Sequence, residues 1–153
     1  MTTIAYDGKT VSVDLQMTDG SNKFKYRKVF NITTEIVGII AGDVNKCSKL
    51  IKRIVDKYTV DEFENEEDDE LDEATVLLYN KKTSKLYHVD LKDLSEVEMP
   101  AGYTCGSGAQ GASVALLLGL QSQEAVKYAS KVDIFTGLGI LTLCGDNEAV
   151  IDL

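Results

Sequence analysis

The apolar spacing switches from every second residue to every third or fourth at Val44, after four strand-like segments, and no other feature constrains the fold as much. The strand-like segments begin with Ile4 to Tyr6 and, beyond the Asp7-Gly8 turn, Val11 to Leu15, where Val11, Val13 and Leu15 alternate with Ser12 and Asp14. That alternation gives a strand with one apolar face. Asp19-Gly20-Ser21-Asn22 marks a loop, and Lys28 to Ile32 and Ile36 to Ala41 supply two more strands joined near Thr33-Thr34-Glu35. From Val44 onward Val44, Cys47, Leu50, Ile51, Ile54, Val55 and Tyr58 share one face of a 3.6-residue period, while Lys46, Lys49, Lys52 and Arg53 fall mostly on another. This predicts an amphipathic surface helix packed on a sheet.

Thr75 to Tyr79 and Leu86 to Val89 flank Asn80-Lys81-Lys82-Thr83-Ser84, a hairpin pattern. Gly106-Ser107-Gly108 leads into Ala112 to Leu120, apolar on nearly every side, which predicts a helix buried between layers. A second helix follows from Ser122, a candidate N-cap, to about Val132. Ile140 to Cys144 and Ala149 to Leu153 close the chain as two strands about Gly145-Asp146-Asn147. The order lacks the strict alternation of a doubly wound parallel sheet. It fits an α+β fold of two mainly antiparallel sheets packed face to face with helices outside. No repeat or linker divides residues 1–153, so a single domain is expected.

The net charge of -9 is local in origin: Asp61 to Glu73 holds ten acids in thirteen positions, leaving 15 acids against 16 bases elsewhere. Such a block repels itself and resists burial, so it reads as a solvated, mobile loop at 61–73, with capture of a basic partner or a divalent cation as the sharper alternative. No basic stripe with interleaved aromatics supports nucleic-acid binding. No apolar run approaches the roughly 18 residues of a membrane span, and no secretory pattern follows Met1, so a cytoplasmic location is expected. Cys47, Cys105 and Cys144 lack disulfide or zinc spacing and read as small apolar core residues in a reducing compartment. Neither a metal nor a cofactor is called for.

Phosphate loops, a GxSxG elbow and paired histidines are missing, and the single histidine, His88, sits in a strand pattern as an ordinary strand residue. The N-terminus remains. Thr2 is small enough for Met1 to be trimmed, which leaves an α-amino group beside a hydroxyl. An α-amine titrates near pH 7.7–8.0 and can take the hydroxyl proton while Oγ attacks a carbonyl. Met-Thr-Thr alone is a weak motif.

Further motifs accompany it in order: Val13-Asp14-Leu15-Gln16-Met17-Thr18, Arg27-Lys28-Val29, Gly38-Ile39-Ile40-Ala41-Gly42, Cys105-Gly106-Ser107-Gly108 and Asp133-Ile134-Phe135-Thr136-Gly137. Together with Thr2-Thr3-Ile4 they resemble, over almost the whole chain, the proteasome β-subunit family and its HslV-type members. The resemblance implies the N-terminal nucleophile hydrolase fold, a four-layer αββα sandwich, and a threonine-type endopeptidase. It makes Thr2 the nucleophile, Lys28 the cation that lowers its proton affinity and Asp14 the carboxylate that orients Lys28. Gly42 would offer its N–H to the oxyanion, and Ser107, Asp133 and Thr136 would support the Thr2 amine. A cation near Thr2 favours the alkoxide-like state, so the assignment is chemically coherent. Read singly, Asp14 is a strand carboxylate, Lys28 a surface lysine and Ser107 a helix cap.

Two departures from the family pattern stand out. Asp43 replaces a second glycine after Gly42, and the acidic block occupies the place of a long helix that contributes to ring contacts. The resemblance implies a peptide or unfolded-protein substrate, a homo-oligomer, a ring in the family, and an unfoldase ATPase as partner, although the double ring does not follow from it alone. A small-amide amidohydrolase on the same fold and a non-catalytic assembly or regulatory subunit are the competing readings.

Overall fold

The computed structural model describes residues 2–59 and 74–153, so the acidic block at 61–73 lies outside the described residues. In chain order the first elements are β1 (Thr3–Tyr6), β2 (Thr10–Asp14), β3 (Gln16–Asp19), β4 (Asn22–Lys25), β5 (Val29–Asn31), β6 (Ile36–Gly42) and α1 (Val44–Thr59). There follow β7 (Ala74–Asn80), β8 (Lys85–Val89), β9 (Glu96–Glu98), β10 (Thr104–Gly106), α2 (Ala109–Leu117), α3 (Ser122–Ser130), β11 (Ile140–Cys144) and β12 (Asn147–Ile151). Two five-stranded antiparallel sheets result, ordered β10-β1-β2-β11-β12 and β5-β6-β7-β8-β9, beside a β3-β4 hairpin.

Period-two alternation sorts side chains between two faces of each sheet. Ile4, Tyr6, Val11, Val13, Leu141 and Leu143 of the first sheet share a buried cluster with Val37, Ile39, Ala41, Leu77 and Tyr79 of the second. The intervening residues turn outward: Ala5 and Ile140 pack with Ala112, Ala115, Ala125, Val126 and Ala129 of α2 and α3. On the second sheet Ile40, Val76 and Leu78 pack with Cys47, Leu50 and Ile54 of α1. Both faces of both central strand pairs are therefore dry. Each fully buried Ile, Leu or Val contributes roughly 1.5–3 kcal/mol.

Four expectations need correction. The segment Ala112 to Leu120 is not buried between layers: Ala112 and Ala115 are, but Val114, Leu117, Leu118 and Leu120 are exposed, because α2 has packing partners on one side only. Ser122 does not cap α3; its hydroxyl bonds to those of Thr10 and Ser12 at 2.6 and 2.8 Å, and its N–H donates to Asp7 Oδ2 at 2.9 Å. Burial alone would raise the Asp7 carboxyl, but bonds from Thr10, Ser122 and Lys9 outweigh it and hold the group below the usual range. The cap is thus borrowed from the β1–β2 turn. Asp19-Gly20-Ser21-Asn22 is the tight turn of the β3-β4 hairpin, with Asp19 paired to Asn22, so six strands rather than four precede α1. Finally, only Cys47 is a core thiol; Cys105 and Cys144 are half-buried, and all three are free.

Candidate active site

Lys28 and Asp14, fourteen residues apart in sequence, meet because the ends of β2 and the start of β5 converge. Ile40 N–H donates to the Lys28 carbonyl at 3.0 Å, holding Lys28 beside β6. Lys28 Nζ then reaches Asp14 Oδ1 at 2.9 Å, with the two side chains 4% and 0% exposed. The lysine expected at the surface under the plainer reading is a buried ion. Asp14 accepts more than the amine: Thr3 N–H at 2.9 Å on Oδ1, and the N–H groups of Gln16 and Gly137 at 3.3 and 3.1 Å on Oδ2. Burial lowers the Lys28 amine below its ordinary value, partly offset by the charge and hydrogen bond of Asp14.

Ser107, Asp133 and Thr136 form a second group. Ser107 and Thr136 hydroxyls both donate to Asp133 Oδ2 at 2.6 Å, and Phe135 N–H donates to Oδ1 at 3.2 Å. Desolvation would raise the Asp133 carboxyl, but these donors outweigh it and keep the group below the usual carboxylate range. Since the Thr136 proton is committed to Asp133, the 2.6 Å contact between Thr3 and Thr136 hydroxyls runs with Thr3 donating. Gly108 N–H completes the chain by donating to Thr3 Oγ1 at 3.0 Å.

Thr3 was not among the residues singled out from sequence, yet it joins the two groups: its N–H holds Asp14 and its hydroxyl holds Thr136. It is 0% exposed. A strand threonine carries no sequence mark of such a role. The signal lies in the pairing of Thr3 with Gly106, which sets its side chain against Gly108. A Cβ on Gly108 would lie 2.2 Å from Thr3 Oγ1 and 3.0 Å from Thr136 Oγ1. The backbone there has φ -92°, which suits any residue, so the constraint is steric. Gly108→Ala is expected to destabilise the fold by about 1–3 kcal/mol, read as a lowered urea midpoint.

Thr2 precedes β1 and is anchored through its carbonyl, which accepts Ser107 N–H at 2.9 Å. It is 4% exposed and lines a cavity of about 350 Å³ together with Lys28, Gly42 and Asp43. Gly42 has φ +97°, a left-handed conformation that favours glycine and turns the chain from β6 into α1. Asp43 then acts as the helix N-cap: its Oδ1 accepts Lys46 N–H at 3.0 Å and its carbonyl accepts Cys47 N–H at 2.9 Å. An Asp directly before the first periodic apolar residue is a recognisable cap, and it explains why a glycine is dispensable there. A larger open cavity of about 860 Å³, between the β1–β2 turn and the end of α2, contains none of the seven sequence-chosen residues.

No protein-family model matches the chain, and no curated protein matches it. Among solved structures it is similar to eukaryotic HslV from Trypanosoma brucei, with a TM-score of 0.64 and 16% identity over 100% of both chains. The likeness covers the full length of the chain, which therefore has an HslV-type fold.

Proposed function

We propose that the chain is an N-terminal threonine peptidase built as a four-layer αββα sandwich, in which Thr2 becomes the nucleophile once Met1 is removed. One observation carries the reading: Thr2 opens onto the same cavity as Lys28 and Gly42, with Lys28 held by Asp14. In the reaction the Thr2 Oγ–H bond breaks, its proton passes to the freed α-amine, and Oγ bonds to the substrate carbonyl carbon. The Lys28 cation favours this step electrostatically, and Gly42 N–H receives the oxyanion. The C–N bond then breaks, the leaving amine takes the proton, and water cleaves the acyl ester to restore Thr2. Asp133, Ser107 and Thr136 hold the loop that positions Thr3 and hence the nucleophile.

The oligomeric state belongs to the same reading. Val114, Leu117 and Leu118 stand exposed together at the end of α2, an apolar patch of the kind that copies of a chain cover in an assembly. Among the described residues no helix is long and apolar enough to cross a membrane. Intact-mass measurement of the purified native chain tests the proposal: a mass lacking Met1 is expected. Retained Met1 would lock the Thr2 amine in a peptide bond and favour the non-catalytic subunit instead.

A further inference from the structure

The cavity beside Thr2 has a chemical character of its own. Its walls include Met17, Phe24 and Tyr26, and two carboxylates, Asp19 and Asp43, also line it. Among the described residues lining it, Lys28 is the one cation, and its charge is balanced by Asp14. The cavity therefore combines apolar and aromatic surface with two carboxylates. Asp43 is held in place by Lys46 N–H, so its carboxylate is fixed rather than free to swing away. Asp19, the exposed last residue of β3, is the second carboxylate lining the cavity.

We infer that this cavity receives a long cationic side chain, lysine or arginine, on the residue whose carbonyl Thr2 attacks. The inference rests on the proposed function for the position of the scissile bond, and on the lining residues for the preference. Lysine and arginine bury an apolar stem while keeping a charged head near polar groups. The stem would lie along Met17 and Phe24, the head would sit between Asp43 and Asp19, and Tyr26 would present a ring face to it. A glutamate in the same place would meet two like charges in a confined site.

Binding to Thr2→Ala, in which nothing is cleaved, separates this inference from the catalytic one. Isothermal titration would compare three blocked peptides that differ at one position, bearing arginine, norleucine or glutamate. Arginine is expected to bind on the order of tenfold more tightly than norleucine, with glutamate weakest. Asp43→Asn keeps the capping oxygen but removes the charge. That variant, and Asp19→Asn, should each narrow the arginine advantage severalfold while leaving norleucine binding unchanged. Equal binding of arginine and norleucine, absence of binding by all three, or an arginine advantage indifferent to both variants would overturn the inference. If Thr2→Ala prefers arginine while the Met1-free wild type cleaves no arginine peptide, the catalytic reading fails and the cavity's preference stands.

Discussion

Thr2→Ala is expected to abolish peptide hydrolysis while leaving the fold intact. The substitution removes one hydroxyl and one methyl from a residue whose anchoring contact, the carbonyl bonded to Ser107 N–H, belongs to the backbone. The Asp14–Lys28 pair and the Thr3–Thr136–Asp133 chain do not involve the Thr2 side chain. Loss of a covalent nucleophile lowers kcat by about 10⁴- to 10⁶-fold in hydrolases where it has been isolated, and the same range is expected here. Thr2→Ser keeps the hydroxyl and the free amine and should retain measurable turnover. Hydrolysis of a fluorogenic peptide by the Met1-free proteins, set beside their thermal melts, reads both effects. A Thr2→Ala protein that melts normally and still cleaves would remove Thr2 from the mechanism.

Asp14→Asn is expected to be the most destabilising single change at the site. An amide has one acceptor oxygen, whereas the two oxygens of Asp14 receive three backbone N–H groups and the Lys28 amine. The amide NH₂ would face donors, and Lys28 would lose its counter-charge at 3% exposure. Breaking a buried pair in this way costs about 3–5 kcal/mol, visible as a large drop in the urea midpoint. Lys28→Met should cost less, since Asp14 keeps its backbone donors.

The pH dependence carries a sign. Burial lowers the Lys28 amine below its ordinary value of 10.5, so just below that pH the unfolded chain binds a proton the folded chain has released. The contribution of Lys28 to stability is full above 10.5 and falls as pH drops through the folded value. Wild type should therefore gain on Lys28→Met as pH rises through the alkaline range, in a difference between their unfolding free energies that cancels the tyrosine and cysteine titrations common to both. A flat or inverted difference would contradict the buried-amine account.

What the sequence made legible followed from periodicity. β1, β2, β5 to β8 and α1 were readable because alternation or 3.6-residue spacing ran through Val11 to Leu15, Ile36 to Ala41 and Val44 to Tyr58. β4 and β9 were not, since every residue of Asn22–Lys25 and Glu96–Glu98 is exposed and such edges need no apolar pattern. α2 misled for the converse reason: its apolar outer side is uncovered within one chain, so composition overstated its burial. The seven candidate site residues come from motif order, and periodicity alone does not point to them. Lys28 shows why, because nothing in Arg27-Lys28-Val29 says that one lysine is buried against Asp14 while Arg27 is exposed. Thr3 and the capping role of Asp43 depend on strand register and on helix start, which local sequence specifies only weakly for the first and more clearly for the second.

Covalent trapping reports whether Thr2 is the reactive group. The Met1-free protein would be incubated with a peptide vinyl sulfone bearing an arginine side chain, then digested and mapped by mass spectrometry. A single adduct on Thr2 is expected, absent from Thr2→Ala and strongly slowed in Lys28→Met. An adduct on Cys105 or Cys144 in place of Thr2, or an unmodified Thr2 in a folded, Met1-free protein, would contradict the assignment of Thr2 as nucleophile.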